Sequence, residues 1–421
     1  MESFTNRIEK GFQNLKNLFK CNVKQQTKYN NILYEEFFRC EKTAQILGFK
    51  FLKSHKSLTN TWIRANNIAF EVAIIILLMV EIVSFVMSIR RKLFLTSIDN
   101  ALFYGGFFVV AVKIYLIFYR NRAKLDQIIE KLDEHFPHHG VDQHTFKAQK
   151  YLNTLKRFEA IYYVIFLTTG LQFWMMPYLH QLYGTINSIN VDWMTVYALT
   201  LPFNQLQPVV YEVMWMLEGW IFMCTIFYII CTDLLFASLC EILAMEFDIL
   251  GQAIRKIDMN ERENDAIMKL KKLVGIHQEL IEVSKKLDEI FSPLLLINIF
   301  GSITTLCTAG FLLASGINGY FVAKYFIFPL CLTMQIFSHC HFSQHLIDSS
   351  TSIATSAYNS DWFKGNVEFR RLILQVMTRA QNAQKITGWK FFDVSLETFQ
   401  WVNIIFGISH SLTIKRKAKI Y

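Results

Sequence analysis

Residues 70–88 read FEVAIIILLMVEIVSFVMS, a run broken by only two charges, Glu71 and Glu81. As an α-helix rising 1.5 Å per residue, such a block is long enough to cross about 30 Å of hydrocarbon, and length is what separates a membrane span from a buried core helix. Backbone groups in lipid must be satisfied inside the protein, so only helices or a closed barrel can span. This block is too long and too continuous for a barrel strand.

Working outward, six further blocks of the same kind appear. The seven are 66–88, 98–119, 159–179, 213–238, 291–315, 319–340 and 391–414. The fifth contains SPLLLINIFGSITTLCTAGFLLAS. The seventh, FFDVSLETFQWVNIIFGISHSLTI, is the most polar, and its polar groups are expected to face protein or water rather than lipid. Composition agrees with long helices: 52% hydrophobic residues, 38 Phe, 6 Pro, and 18% charged residues against about a quarter in soluble proteins.

The net charge of +9 would suit nucleic acid, but the basic residues sort by membrane side instead. Segments 1–64, 120–158, 241–290 and 341–390 carry 12, 8, 8 and 6 Lys and Arg, whereas the alternate connections carry few: Arg90, Arg91 and Lys92 in the first, none in 180–212, Lys324 in the third, and Lys415, Arg416, Lys417 and Lys419 in the tail. The positive-inside rule therefore places the N-terminus in the cytoplasm and, with seven spans, the C-terminus outside. Residues 1–62 hold no signal-peptide core, so no cleavable signal is expected. None of the eight cysteines falls in an expected outer loop, so no disulfide is expected. Residues 125–136 and 268–291 repeat apolar positions at helical spacing with charges between, which predicts helical extensions of the spans into the cytoplasm.

The chemistry-bearing residues give no enzyme signature: no nucleophile elbow, phosphate loop or metalloprotease helix is present. His339, Cys340, His341 and His345 cluster, and His341 and His345 stand at i, i+4, a spacing that can bind zinc, but no third ligand is placed, and the histidines read as solvated or helix-terminal. No metal or cofactor is expected. Lys113, Asp233, Glu71 and Glu81 are membrane charges, each expected to be functional, paired, or at an interface.

The C-terminal third reads HLIDSSTSIATSAYNSDWF (345–363) and EFRRLILQVMTRAQNAQKITGWKFFDVSLETFQWVNIIFGISHSLTIK (368–415). It resembles the C-terminal signature of insect odorant receptors at Asp348–Ser349, Ala357–Tyr358, Trp362, Arg370–Arg371, Arg379, Gln381, Gly388, Phe392, Ser395–Leu396 and Phe399. The connection between the fourth and fifth spans is about 50 residues. The family's shared co-receptor is longer there, so this chain resembles a ligand-tuned subunit. The related gustatory receptors differ at 407–412. A G-protein-coupled receptor would need the opposite orientation, an Asp-Arg-Tyr-like triplet after the third span and Asn-Pro-x-x-Tyr in the seventh.

The resemblance implies an all-α integral membrane protein, a tetrameric cation-channel subunit in the plasma membrane of olfactory sensory neurons. Its partners would be co-receptor subunits, membrane lipid and a small volatile ligand, with no nucleic acid. It divides the chain into a cytoplasmic N-terminal segment (1–65), six spans with a ligand pocket in their outer half (66–340), a cytoplasmic anchor (341–390), and a pore-lining helix with a short outer tail (391–421). Ile408, His410, Ser411, Leu412 and Lys415 would lie near the narrow outer pore. The basic cluster at 415–419 would stand at its mouth and repel cations in a homomer.

A volatile ligand calls for a closed cavity lined by aromatics with few polar groups. Helical spacing puts Tyr104, Phe107, Phe108 and Ala111 on one face of the second span, and Tyr163, Leu167, Gly170 and Trp174 on one face of the third. The fourth offers Tyr211, Met214, Trp215 and Glu218, whose carboxyl could hydrogen-bond a ligand. The sixth offers Tyr320, Phe321 and Tyr325. Aromatic faces of this kind also arise from plain helix packing and interface belts.

Overall fold

The computed structural model describes residues 32–47, 61–92, 94–137, 148–188, 195–197, 207–258, 263–314, 319–405 and 407. These are almost wholly helical. Short helices α1 (Ile32–Phe37) and α2 (Cys40–Ile46) precede α3 (Thr61–Arg90) and α4 (Phe94–Lys113). A π-helical stretch, Ile114–Arg120, follows α4 directly and leads into α5 (Arg122–His135). Then come α6 (Ala148–Ile186), α7 (Pro208–Arg255), α8 (Glu263–Ala314), α9 (Gly319–Tyr358) and α10 (Val367–Ala380), with a single 3-10 turn at Trp362–Lys364. A final helix, α11, covers 396–405.

Among the described residues, five helical stretches are long and apolar enough to cross a membrane: Ala65–Arg90, Ala101–Arg120, Ala148–Ile186, Val209–Arg255 and Glu263–Phe311. The sixth expected block coincides with the first half of α9, several of whose side chains lie outside the described residues. The seventh is described only to 407.

Both expected cytoplasmic helices are present: 268–291 is continuous with its span in α8, while 125–136 forms α5, set off from the preceding stretch by a bend at Asn121. At 48 and 52 residues, α7 and α8 run to roughly 70–80 Å at 1.5 Å per residue, more than twice a hydrocarbon core. Pro177, Pro293 and Pro329 sit inside α6, α8 and α9 without ending them. Neighbouring helices can take up a freed carbonyl in a packed bundle.

Helix α7 is the hub. Its most apolar window is 89% buried, whereas that of α3 is 28% buried. The sequence of α3 explains the contrast. Ile68, Val72, Ile75, Ile76, Met79 and Val83 are exposed, the arrangement of a helix whose apolar side chains face lipid. In lipid the hydrophobic effect no longer drives helices together, so close packing must do it. Gly170 of α6 shows how: a Cβ there would come within 2.5 Å of Ile226 Cδ1, so glycine lets α6 and α7 approach.

Among the described residues, the all-α expectation holds apart from one hairpin. Thr387–Gly388 pairs antiparallel with Phe392–Asp393. Its turn holds Trp389 and Lys390 at φ 47° and 62°, strained for residues with a Cβ. Asp288 and Ser292 of α8 offset that strain, since Asp288 Oδ1 accepts from Thr387 N (2.7 Å) and Ser292 Oγ from Trp389 N (2.7 Å).

Beyond the apolar part of α9, His345 donates from Nδ1 to buried Glu241 of α7 (2.8 Å), stacks on Tyr151 of α6, and so joins three helices. That hydrogen bond, with the charges of Glu241, Asp248 and Asp348 behind it, raises the imidazole above its ordinary range against the opposing effect of burial. His341, one turn away, is lowered by burial and by His345. A raised folded-state value means stabilisation that is complete below the unfolded value near 6.5 and lost as pH rises through the folded value. The protection factors of 341–358, exchange rates corrected for the intrinsic base catalysis of each amide, should therefore carry a contribution from His345 that is larger at pH 6 than at pH 8, and His345→Gln should remove that contribution.

A cavity above a buried ion cluster

A cavity lies where α4, α6, α7, α8 and α9 meet. It holds about 420 Å³, within the range of small-molecule sites. One wall is aromatic and aliphatic, formed by Phe107, Phe166, Phe222, Ile226, Phe328 and Leu332. Its room comes from small residues: Gly105 and Gly106 of α4, Thr169 of α6, Thr225 of α7, and Gly301 and Ser302 of α8. At Gly105 and Gly106 an added Cβ would meet nothing within 4 Å. Tyr197 is fully buried near the other end, its ring against Phe103 and Phe107 at 5.2 Å each.

Lys113, Asn298 and Gln335 form the floor. Beneath them Asp233 gathers a set of partners. Lys113 Nζ lies 2.6 Å from Oδ1 and His339 Nε2 3.3 Å from it, while Gln335 Nε2 (2.6 Å) and Tyr162 OH (2.8 Å) donate to Oδ2. Four helices supply this cluster. Desolvating a carboxylate is costly unless its oxygens are filled, and here both are. Lys113 and Asp233, read from sequence as charges that are functional or paired, are paired with each other. Glu71 accepts from Tyr119 OH at 2.7 and 2.8 Å. The reading of His339 and His345 as solvated or helix-terminal is corrected: His339 is 3% exposed and belongs to the Asp233 cluster, and His345 is bound to Glu241.

The expected pocket residues divide. Phe107 lines the cavity. Tyr104 instead stacks on Phe108, which is 45% exposed. On α6 the wall is made by Phe166 and Thr169, each one residue before the expected Leu167 and Gly170. Tyr163 hydrogen-bonds Thr43 of α2, and Gly170 is taken up by contact with α7. Trp174, Tyr178 and Trp215 form a separate aromatic stack, with Trp215 Nε1 donating to Trp174 O (2.8 Å). Trp215, Met214 and Tyr211 are one to several turns of α7 from its cavity residues Phe222, Thr225, Ile226 and Ile229. Glu218 is buried and accepts from the backbone N–H of Val196 (2.8 Å), which fastens the segment carrying Tyr197. The side chains of Tyr320, Phe321 and Tyr325, and residues Ile408, His410, Ser411, Leu412 and Lys415, lie outside the described residues.

The stack on α7 depends on glycine. A Cβ at Gly219 would fall 2.1 Å from Trp174 Nε1. Gly219→Ala must push the indole aside, and overpacking of this kind costs about 1–3 kcal/mol. Thermal unfolding of the detergent-solubilised protein followed by size-exclusion chromatography should show a lowered midpoint.

Residues 94–405 match the family model described as 7tm Odorant receptor. Odorant receptor 85c of Drosophila melanogaster is 25% identical over 305 residues, covering 71% of this chain and 77% of that one. Odorant receptor 85b of the same species is 24% identical over 304 residues, with the same coverage of each. Among solved structures, the olfactory receptor OR5 of Machilis hrabei in complex with eugenol superposes with a TM-score of 0.77 at 16% identity. The match covers 91% of this chain and 98% of that one.

Proposed function

The chain belongs to the 7tm odorant receptor family, and from that premise we propose that it is a ligand-tuned subunit of an odorant-gated cation channel. In this reading seven helices span the plasma membrane of an olfactory sensory neuron, with the N-terminus inside and the C-terminus outside. Co-receptor subunits complete a tetramer, and residues 391–414 line its pore. The asymmetric distribution of Lys and Arg supports the orientation. The observation that carries the function is the cavity. An apolar space of about 420 Å³ suits a small volatile molecule, and its floor carries an already paired charge rather than a free one. OR5 is described with eugenol, a small organic ligand, which supports a site of this class here.

The gating argument is one of populations. A ligand shifts a closed–open equilibrium only by binding one state better than the other. A cavity bounded by five helices is suited to this, because filling it changes how those helices pack. The test is electrical. Cells expressing this chain with a co-receptor should pass a cation current to some member of a volatile panel, and co-receptor alone should not. The cluster Lys415, Arg416, Lys417 and Lys419 favours a mixed assembly. Robust ligand-gated current from the chain alone would overturn that part of the reading.

A further inference from the structure

Helix α8 turns one face to the cavity at Asn298, Ser302 and Thr305, spaced i, i+4, i+7. These positions differ in how their polar atoms are used. The Asn298 amide lies 3.4 Å from His339 Nδ1. Thr304 and Thr308 of the same helix return their hydroxyls to Phe300 O (2.9 Å) and Thr304 O (2.7 Å). Across the cavity, Thr169 and Thr225 do the same to Ile165 O and Ile221 O, both at 2.8 Å. Ser302 does not. It is 3% exposed, borders the cavity, and its hydroxyl has no hydrogen-bond partner among the described residues. Thr305, nearly one turn along, also lacks one.

A buried hydroxyl with nothing to bond carries an uncompensated desolvation penalty. A hydrocarbon in this cavity would leave Ser302 in that state. A ligand with a hydroxyl or carbonyl oxygen would relieve it, while the facing wall of Phe107, Phe166, Phe222 and Phe328 takes up the apolar remainder. An ionic ligand gains little here, because Asp233 already neutralises Lys113. We propose that Ser302 is the specificity-determining residue of the cavity. Its hydroxyl holds the single oxygen function of a neutral, otherwise apolar ligand, with Thr305 as the alternative anchor for a longer one. This rests on the reading of the cavity as the odorant site.

The test uses the full chain co-expressed with a co-receptor. It compares linear primary alcohols, methyl ketones and terminal alkenes matched in heavy-atom number, taken across chain lengths until the wild type responds. Losing one neutral hydrogen bond corresponds to roughly a 3- to 10-fold change in half-maximal concentration. Ser302→Ala should raise that concentration by this factor for the oxygenated ligands and leave the alkenes unchanged, and Ser302→Thr should restore it. Comparing ligands within one variant removes differences in expression. A wild type equally sensitive to alkene and alcohol, or an alanine variant that shifts both alike or neither, overturns the assignment. Gly106→Phe separates the two layers: if a blocked cavity leaves every response intact, the site reading itself has failed.

Discussion

Asp233→Ala should strip the receptor from the cell surface. The substitution leaves Lys113, whose side chain is 3% exposed, as an ammonium with no counter-ion in the middle of five packed helices. It also takes the acceptor from Tyr162, Gln335 and His339 at once. Breaking one side of a buried pair costs about 3–5 kcal/mol, while total stabilities are only about 5–15 kcal/mol. Surface biotinylation and size-exclusion profiles of the solubilised protein should both show the loss. The informative comparison is the double variant Lys113→Met with Asp233→Leu. Replacing a whole buried pair with apolar groups of similar volume is often neutral. Surface expression should therefore return even though more of the native site has been removed. If Asp233→Ala alone matched wild type, the cluster would contribute nothing to folding.

Gly106→Phe should abolish ligand responses while leaving the protein folded. Gly106 borders the cavity and a Cβ there meets open space, so the first atom of the new side chain needs no rearrangement. A ring the size of benzene fills a void of about 150 Å³, roughly a third of the 420 Å³ present. A ligand must then lose its own space or force the helices apart, at about 1–3 kcal/mol for each overpacked group. Replacing glycine inside a helix also removes a backbone entropy cost of about 0.5–1 kcal/mol. Sensitivity should fall at least tenfold across all ligands, with surface expression equal to wild type. A normal dose–response curve would move the odorant site elsewhere.

The sequence made the helices legible because run length is a local property. Residues 125–136 and 268–291 were legible as helices from spacing alone, although only 268–291 runs on into its span. The cavity was harder to read, for a physical reason. Reasoning from ligand chemistry sought aromatics at helical spacing, and aromatics are also what fills seams between helices. Trp174, Trp215 and Tyr178 pack on one another, and Tyr163 ties α6 to α2. Open space is left by side chains that are small, so Gly105, Gly106, Gly301, Ser302 and Thr169 were the informative residues. Even these mislead singly. Gly170 and Gly106 look alike in sequence, yet Ile226 fills the space beside one and nothing fills it beside the other. His339 was misread because its partner Asp233 is far away in the chain and belongs to another helix.

The π-helical stretch from Ile114 to Arg120 begins at the residue after Lys113, and Asn121 N–H reaches back five positions to Leu116 O (3.0 Å). A wider turn stores one surplus residue, and each residue in an ordinary helix is worth about 100° of rotation. The stretch thus acts as a phase shifter. Above it, α4 can aim its glycines and Lys113 at the cavity. Below it, α5 can turn Leu125, Ile128, Ile129 and Leu132 toward the core, without either half dictating the azimuth of the other. Losing one residue from this stretch would convert it to the common pitch with both ends still in place. A lineage could therefore trim the chain here by a codon at far less cost than one turn higher, where the same deletion would swing every cavity-facing side chain aside.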